Sequence, residues 1–200
     1  MKFIFLLCAL ILASACSTEV SISEDRTLDI YCDAETTDGH NFISNGAIFN
    51  GAQTKSKDKA RSGIYSSKLN KDQPYGFTHE IMNVKKGDVI EASVWKHNSS
   101  SHGGLVITAD DAINDQYEFF QFPIDEQGEW VLIKAFYVAM HDYEKVKVYA
   151  LCLDEQEAYF DDFSIKANFN NRMPDDSHPA LVINIPDGGY DSLKRFRETA

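Results

Sequence analysis

Tyr159-Phe160-Asp161-Asp162-Phe163-Ser164-Ile165 decides the architecture, because it sets acid inside an otherwise apolar strand. Side chains alternate along an extended chain, so Asp161 is expected on the same side as Phe163 and Ile165, residues suited to a core. A carboxylate there is costly unless something compensates it. At the end of a β-sandwich a cation is the natural compensation, and calcium takes carboxylate and carbonyl oxygens in a flexible shell. Asp162 takes the role if the register differs.

Upstream, the pattern is one of short strands between turn residues. Strands are expected at 28–35, 47–54, 63–69, 76–84, 88–97, 104–108, 117–122, 130–138, 145–153 and 158–166. Turn signals separate them: Asn45-Gly46, Lys86-Gly87-Asp88, the stretch 99–104 and Glu126-Gln127-Gly128. Val146, Val148 and Ala150 share one face against Lys145 and Lys147. Ile90, Ala92 and Val94 oppose Val89, Glu91, Ser93 and Trp95. So many short strands imply an all-β protein, a two-sheet antiparallel β-sandwich or jelly roll, over residues 28–167. The immunoglobulin Cys…Trp…Cys spacing is absent.

The two ends of the chain differ from this middle. Lys2 precedes an apolar run at 3–12, then Ala13-Ser14-Ala15 and Cys16. The run is too short for a mature membrane span and has the flanks of an export signal. The small residues before Cys16 resemble the bacterial lipobox, which implies a signal peptide at 1–16 and lipidation of Cys16. The protein is then a membrane-anchored lipoprotein of the cell envelope. Ala13 stands where that motif usually has Leu, so simple secretion is the alternative. Residues 17–27 read as a tether. Residues 168–180 read as a linker with Pro174, Asp175-Asp176 and Pro179. Leu181–Ile185 is strand-like, and Tyr190–Ala200 has a helical period with Leu193 and Phe196 inward. This short strand-helix extension either packs back on the sandwich or opens a second domain, incomplete here.

Of 200 residues 12% are aromatic, which argues against disorder, and the net charge of −12 argues against nucleic acid. Such an acidic surface is compatible with a neutral glycan and with divalent cations. Once Cys8 and Cys16 are set aside, Cys32 and Cys152 remain, either as a disulfide or as two buried thiols. No Cys-x-x-Cys occurs, which excludes a zinc ribbon.

Partners for Asp161 are sought in segments beside its strand. In Asp33-Ala34-Glu35, Glu35 can offer its side chain and Asp33 its carbonyl. In the stretch 58–63, Asp58 can offer a carboxylate and Arg61 a carbonyl. On composition alone, Asp33, Glu35 and Asp58 read equally well as solvated loop acids.

A set of segments in order resembles the galactose-binding-like jelly rolls, a group that includes many carbohydrate-binding modules. The segments are Asp-Ala-Glu at 33–35, Lys-Asp-Lys-Ala-Arg-Ser-Gly-Ile-Tyr-Ser at 57–66, Gly-Asp-Val-Ile-Glu-Ala-Ser-Val-Trp at 87–95, Gly-Glu-Trp at 128–130 and Phe-Asp-Asp-Phe at 160–163. The resemblance covers residues 30–166 and implies one structural calcium. Its ligands would be Asp33 and Arg61 by carbonyl, with Glu35, Asp58 and Asp161 by carboxylate. Residues 41–50 have no close counterpart. Residues 181–185 and 190–200 are similar to the opening strand and helix of CotH-like kinases, without any of their nucleotide- or metal-binding residues.

Two functions follow as expectations. One is a monomeric, surface-anchored module that binds a glycan or cell-surface polysaccharide. The other is a spacer that binds no sugar and stands in front of a CotH-like kinase domain. Candidate ligand-binding residues are Trp95, Tyr75, His79, Tyr117 and Gln121, with Tyr117 and Phe119 on one strand face. Trp130 reads as core. No enzyme is expected. The six His are scattered without a His-Glu-x-x-His spacing, and no Gly-x-Ser-x-Gly elbow occurs. Pairs among Glu80, Glu91 and Glu118 are what any acidic sandwich offers.

Overall fold

Thirteen strands and one 3-10 turn make up residues 27–109 and 116–169, the part that the computed structural model describes. The strands are β1 (Thr27–Cys32), β2 (Asn41–Ser44), β3 (Ala47–Asn50), β4 (Lys55–Ser56), β5 (Ser66–Leu69), β6 (Tyr75–Val84) and β7 (Val89–His97). They continue as β8 (Gly104–Ala109), β9 (Gln116–Phe120), β10 (Pro123–Gln127), β11 (Trp130–Val138), β12 (Tyr143–Leu151) and β13 (Ala158–Asn168). The expected signal peptide, Cys16, the tether up to residue 26 and the strand-helix extension lie outside the described residues.

All pairings are antiparallel, and the strands form two sheets. The first runs β10-β11-β7-β13-β5-β4, with β1 also on β13; the second runs β2-β3-β6-β12-β8-β9. The expected sandwich is therefore present. Its core lies where the alternation placed it. Ile90, Ala92 and Val94 of β7 face Val146, Val148 and Ala150 of β12, all buried. Phe163 stacks on Phe77 at 5.5 Å and meets Phe49 edge-on at 6.0 Å.

Three strands are additions to the sequence expectation. β2 lies in the stretch without a counterpart and is turned onto β3 by Asn45-Gly46. β4 has two residues, and β10 is an edge strand with every residue exposed, so neither carries a buried face to betray it. Phe122 lies past the end of β9 and is exposed, although the expected strand reached it. Cys32 and Cys152 are separate buried free thiols rather than a disulfide.

Candidate functional site

Alternation breaks within the deciding stretch itself. β13 carries a bulge between Asp161 and Ser164, with Asp162 in the left-handed region at φ 51. Phe160 and Phe163, three apart, both enter the core. Asp161 is fully buried, but its register opposite Trp95 puts it on the outer side of the sheet rather than beside Phe163 and Ile165 as expected, and a loop covers it there. Its Oδ2 accepts the N–H groups of Arg61 at 2.7 Å and Ser62 at 3.2 Å, and its Oδ1 accepts that of Asp162 at 2.8 Å. Glu35 Oε1 accepts the next pair, from Ile64 and Tyr65, both at 2.8 Å. Two carboxylates thus hold the loop 61–65 across the end of the sandwich where β1 stops. Gly63 sits between them at φ +59, and a Cβ there would lie 2.3 Å from Glu35 Oε1, so both conformation and clearance demand glycine.

Asp162 gathers a second set of donors. The Ser62 hydroxyl donates to it at 2.7 Å, Arg61 Nη1 at 2.5 Å, and the Tyr31 hydroxyl closes the group. The Arg61 guanidinium also bonds Gln127 Oε1 at 2.8 Å and lies 3.8 Å over the Trp95 ring. Burial pushes the Asp161 carboxyl up to about 7; the Arg61 N–H works against this and the Asp162 charge adds to it. Burial and then the bond to Asp162 push the Tyr31 phenol up.

Glu35, Asp161 and the main chain of Asp33 and Arg61 therefore come to one end, but Asp58 does not join them. Its exposed carboxylate pairs with Lys68 at 2.8 Å. Among the described residues no three His, Cys, Asp or Glu side chains gather into a metal-holding group. What remains is two carboxylates that accept the amide N–H groups of a shared loop, with Asp58 outside the set.

The outer face of the second sheet is different in kind. Register places Tyr149 beside Val106 and Val106 beside Phe119, across β12, β8 and β9. The Tyr149 ring meets Tyr75 of β6 edge-on at 5.7 Å. One row of the face therefore reads Tyr75, Tyr149, Val106, Phe119. The adjacent row reads Glu80, Lys147, Thr108, Tyr117, each directly opposite the next. Tyr75 is 52% exposed and Tyr117 59%. Burial and then the Tyr75 phenol push the Tyr117 phenol up. Gly104 gives the Phe119 ring its place, since a Cβ there would lie 2.9 Å from Phe119 Cε2.

Of the expected ligand residues, Tyr75 and Tyr117 stand on this face. Gln121 follows the end of β9, half-buried. His79 does not belong to the face: it lies opposite the buried Val148, its ring sits 5.2 Å from Phe49, and its Nδ1 donates to the Ile48 carbonyl at 2.9 Å. Trp95 is no stacking surface either. It lies on the outer side of the first sheet, 8% exposed, packed with Trp130 and Tyr159 beneath Arg61. Tyr149, Thr108 and Lys147 were missed as site residues. The Lys145-Lys147 alternation already put Tyr149 on the outer side.

No family model matches the chain, and no curated protein does. Among solved structures it is similar to the xylan-binding CBM22-1 domain of Paenibacillus barcinonensis Xyn10C, at 16% identity over 69% of this chain and 92% of that one, TM-score 0.47. It is also similar to the tandem CBM22-1-CBM22-2 domain of the same protein, at 16% identity over 76% and 48%, TM-score 0.49. A third is the C-terminal family 22 carbohydrate-binding module of Clostridium thermocellum Xyn10B, at 15% identity over 71% and 94%, TM-score 0.45. The site is defined by the residues described above, not by this likeness.

Proposed function

We propose that this chain is a non-catalytic glycan-binding module whose ligand lies along the outer face of the second sheet. One observation carries this: Tyr75 and Tyr117, both more than half exposed, share a face with the partly covered Tyr149 and Phe119. A pyranose has an apolar C–H face and a rim of hydroxyls. Aromatic rings suit the first, and the adjoining row of Glu80, Lys147 and Thr108 supplies donors and acceptors for the second. Exposed rings on one face with polar neighbours mark a binding surface rather than scattered surface apolarity. A screen of the chain against immobilised neutral polysaccharides tests the proposal. Binding that Tyr117→Ala abolishes supports it; no binding to any of them returns the chain to the spacer role.

Two further parts belong to this proposal. Calcium at the end of the sandwich would be held by the Glu35 and Asp161 carboxylates, with the Asp33 and Arg61 main chain beside them. It would supply positive charge to a buried carboxylate. Export and anchoring through lipidated Cys16 would set the module at the cell surface, where polysaccharide is met.

A further inference from the structure

Four cations alternate through seven positions of an acidic chain: Lys55, Lys57, Lys59 and Arg61, against a net charge of −12. Each lies over an aromatic ring. Lys55 Nζ is 3.8 Å and Lys57 Nζ 5.2 Å from the Tyr65 centroid; Lys59 Nζ is 5.9 Å from that of Tyr159, and Arg61 is 3.8 Å from that of Trp95. Tyr159 and Trp95 belong to neighbouring strands of the first sheet, so the strip crosses that sheet's outer face. Arg61 is neutralised by Asp162, Lys68 is shared by Asp58 at 2.8 Å and Glu157 at 3.2 Å, and Lys55 Nζ donates to the Glu35 carbonyl at 2.6 Å. Among the described residues Lys55, Lys57 and Lys59 have no acid within ion-pair distance. The backbone beneath them is fixed. Ser66 Oγ donates to the Lys59 carbonyl at 2.5 Å, the Asp58 N–H donates to Ser56 Oγ at 3.1 Å, and Asp161 and Glu35 hold the loop that follows.

We propose that this strip is a second binding surface, for a polysaccharide bearing carboxylates. It lies on the other sheet from the aromatic face and does not depend on it. A fixed row of uncompensated cations on a polyanionic protein attracts negative charge locally while the whole repels it, which selects a ligand with spaced anions. Direction separates a polysaccharide from a membrane surface. β1 begins at Thr27 and β13 ends at Asn168, and the two residues pair with each other. The strip lies by the other end, beside Asp161, so under the N-terminal anchoring proposed above it stands at the end of the sandwich far from the tether's entry.

Polygalacturonate is the probe, with the full chain in affinity electrophoresis. Binding is expected, lost on raising the salt. The Lys57→Gln/Lys59→Gln variant should bind about tenfold more weakly, the scale of two exposed ion pairs. Any binding to neutral polysaccharide should be unchanged in that variant, which separates this proposal from the one for the aromatic face. Absence of binding to polygalacturonate, or binding that the double variant leaves intact, overturns it. So does binding to phosphatidylglycerol vesicles without binding to polygalacturonate. An unchanged melting curve of the variant shows that folding is not the cause of a loss.

Discussion

Asp162 is the residue through which the end of the sandwich is wired. It accepts from Tyr31, Arg61 and Ser62 while buried and in a backbone region that glycine prefers. Alanine there leaves those donors without their acceptor and keeps the strained φ. Because the Arg61 side chain is 26% exposed and can rehydrate, the expected loss is about 2–3 kcal/mol, below that of a fully buried broken pair. Urea denaturation measures it; a loss within the scatter of surface substitutions would show that the donors find other partners. His97 gives a pH prediction. Burial holds its imidazole below the ordinary range, nearby Lys59 adds to this, and the exposed Glu129 carboxylate 3.7 Å away opposes it. Its Nδ1 also accepts the Ser99 N–H at 3.0 Å, which a protonated ring cannot do. The unfolded chain therefore takes the proton first as pH falls through about 6.5, and the His97 contribution to stability drops in that window, while the raised Asp161 carboxyl contributes with the opposite sign. The stability difference between the wild-type chain and His97→Gln, in which Asp161 is common to both, should therefore fall between about pH 7 and pH 5 in thermal melts.

At the scale of elements, legibility followed burial. β7 and β12 each carry a buried face, and their alternation was plain in the sequence. β2, β4 and β10 are short or exposed, and nothing in their composition sets them apart from loops. The bulge in β13 was hidden for another reason. Phe160-Asp161-Asp162-Phe163 is consistent with straight alternation, and only the pairing partners reveal the extra residue. The same logic explains the site. Asp161 was legible as an acid in apolar company, whereas Glu35 and Asp58 read identically as loop acids and differ in that Asp58 has Lys68 within reach. Trp95 ends a strand before a polar loop, so its exposure was a fair expectation. Arg61, which comes from a distant segment, covers it. These elements also carry the calcium prediction, since β1, the loop 61–65 and β13 meet only at that end. A chelator should lower the melting temperature, and Asp161→Ala should remove the sensitivity. Melting curves that coincide with and without calcium would leave the amide bonds as the whole closure.

For the whole molecule, the two sheets divide the labour. The first sheet has Trp95, Trp130 and Tyr159 covered beside a basic loop, with Phe136 half exposed under Lys134; the second leaves Tyr75 and Tyr117 in the open. The covered cluster of Trp95, Trp130 and Tyr159 shows that exposure is not the general fate of outward rings here, which gives the open face its meaning. Removing an exposed ring should cost stability no more than about 0.5 kcal/mol, as for other surface substitutions, while removing a stacking partner for sugar. The most direct measurement is calorimetric titration of the chain, of Tyr75→Ala and of Tyr117→Ala with whichever neutral polysaccharide the chain retains on screening. The account predicts saturable binding that each substitution weakens by about tenfold or more, the scale of a lost ring contact, with melting temperatures unchanged. Equal affinity in all three proteins would contradict it, and the ligand would then lie elsewhere than on the outer face of the second sheet.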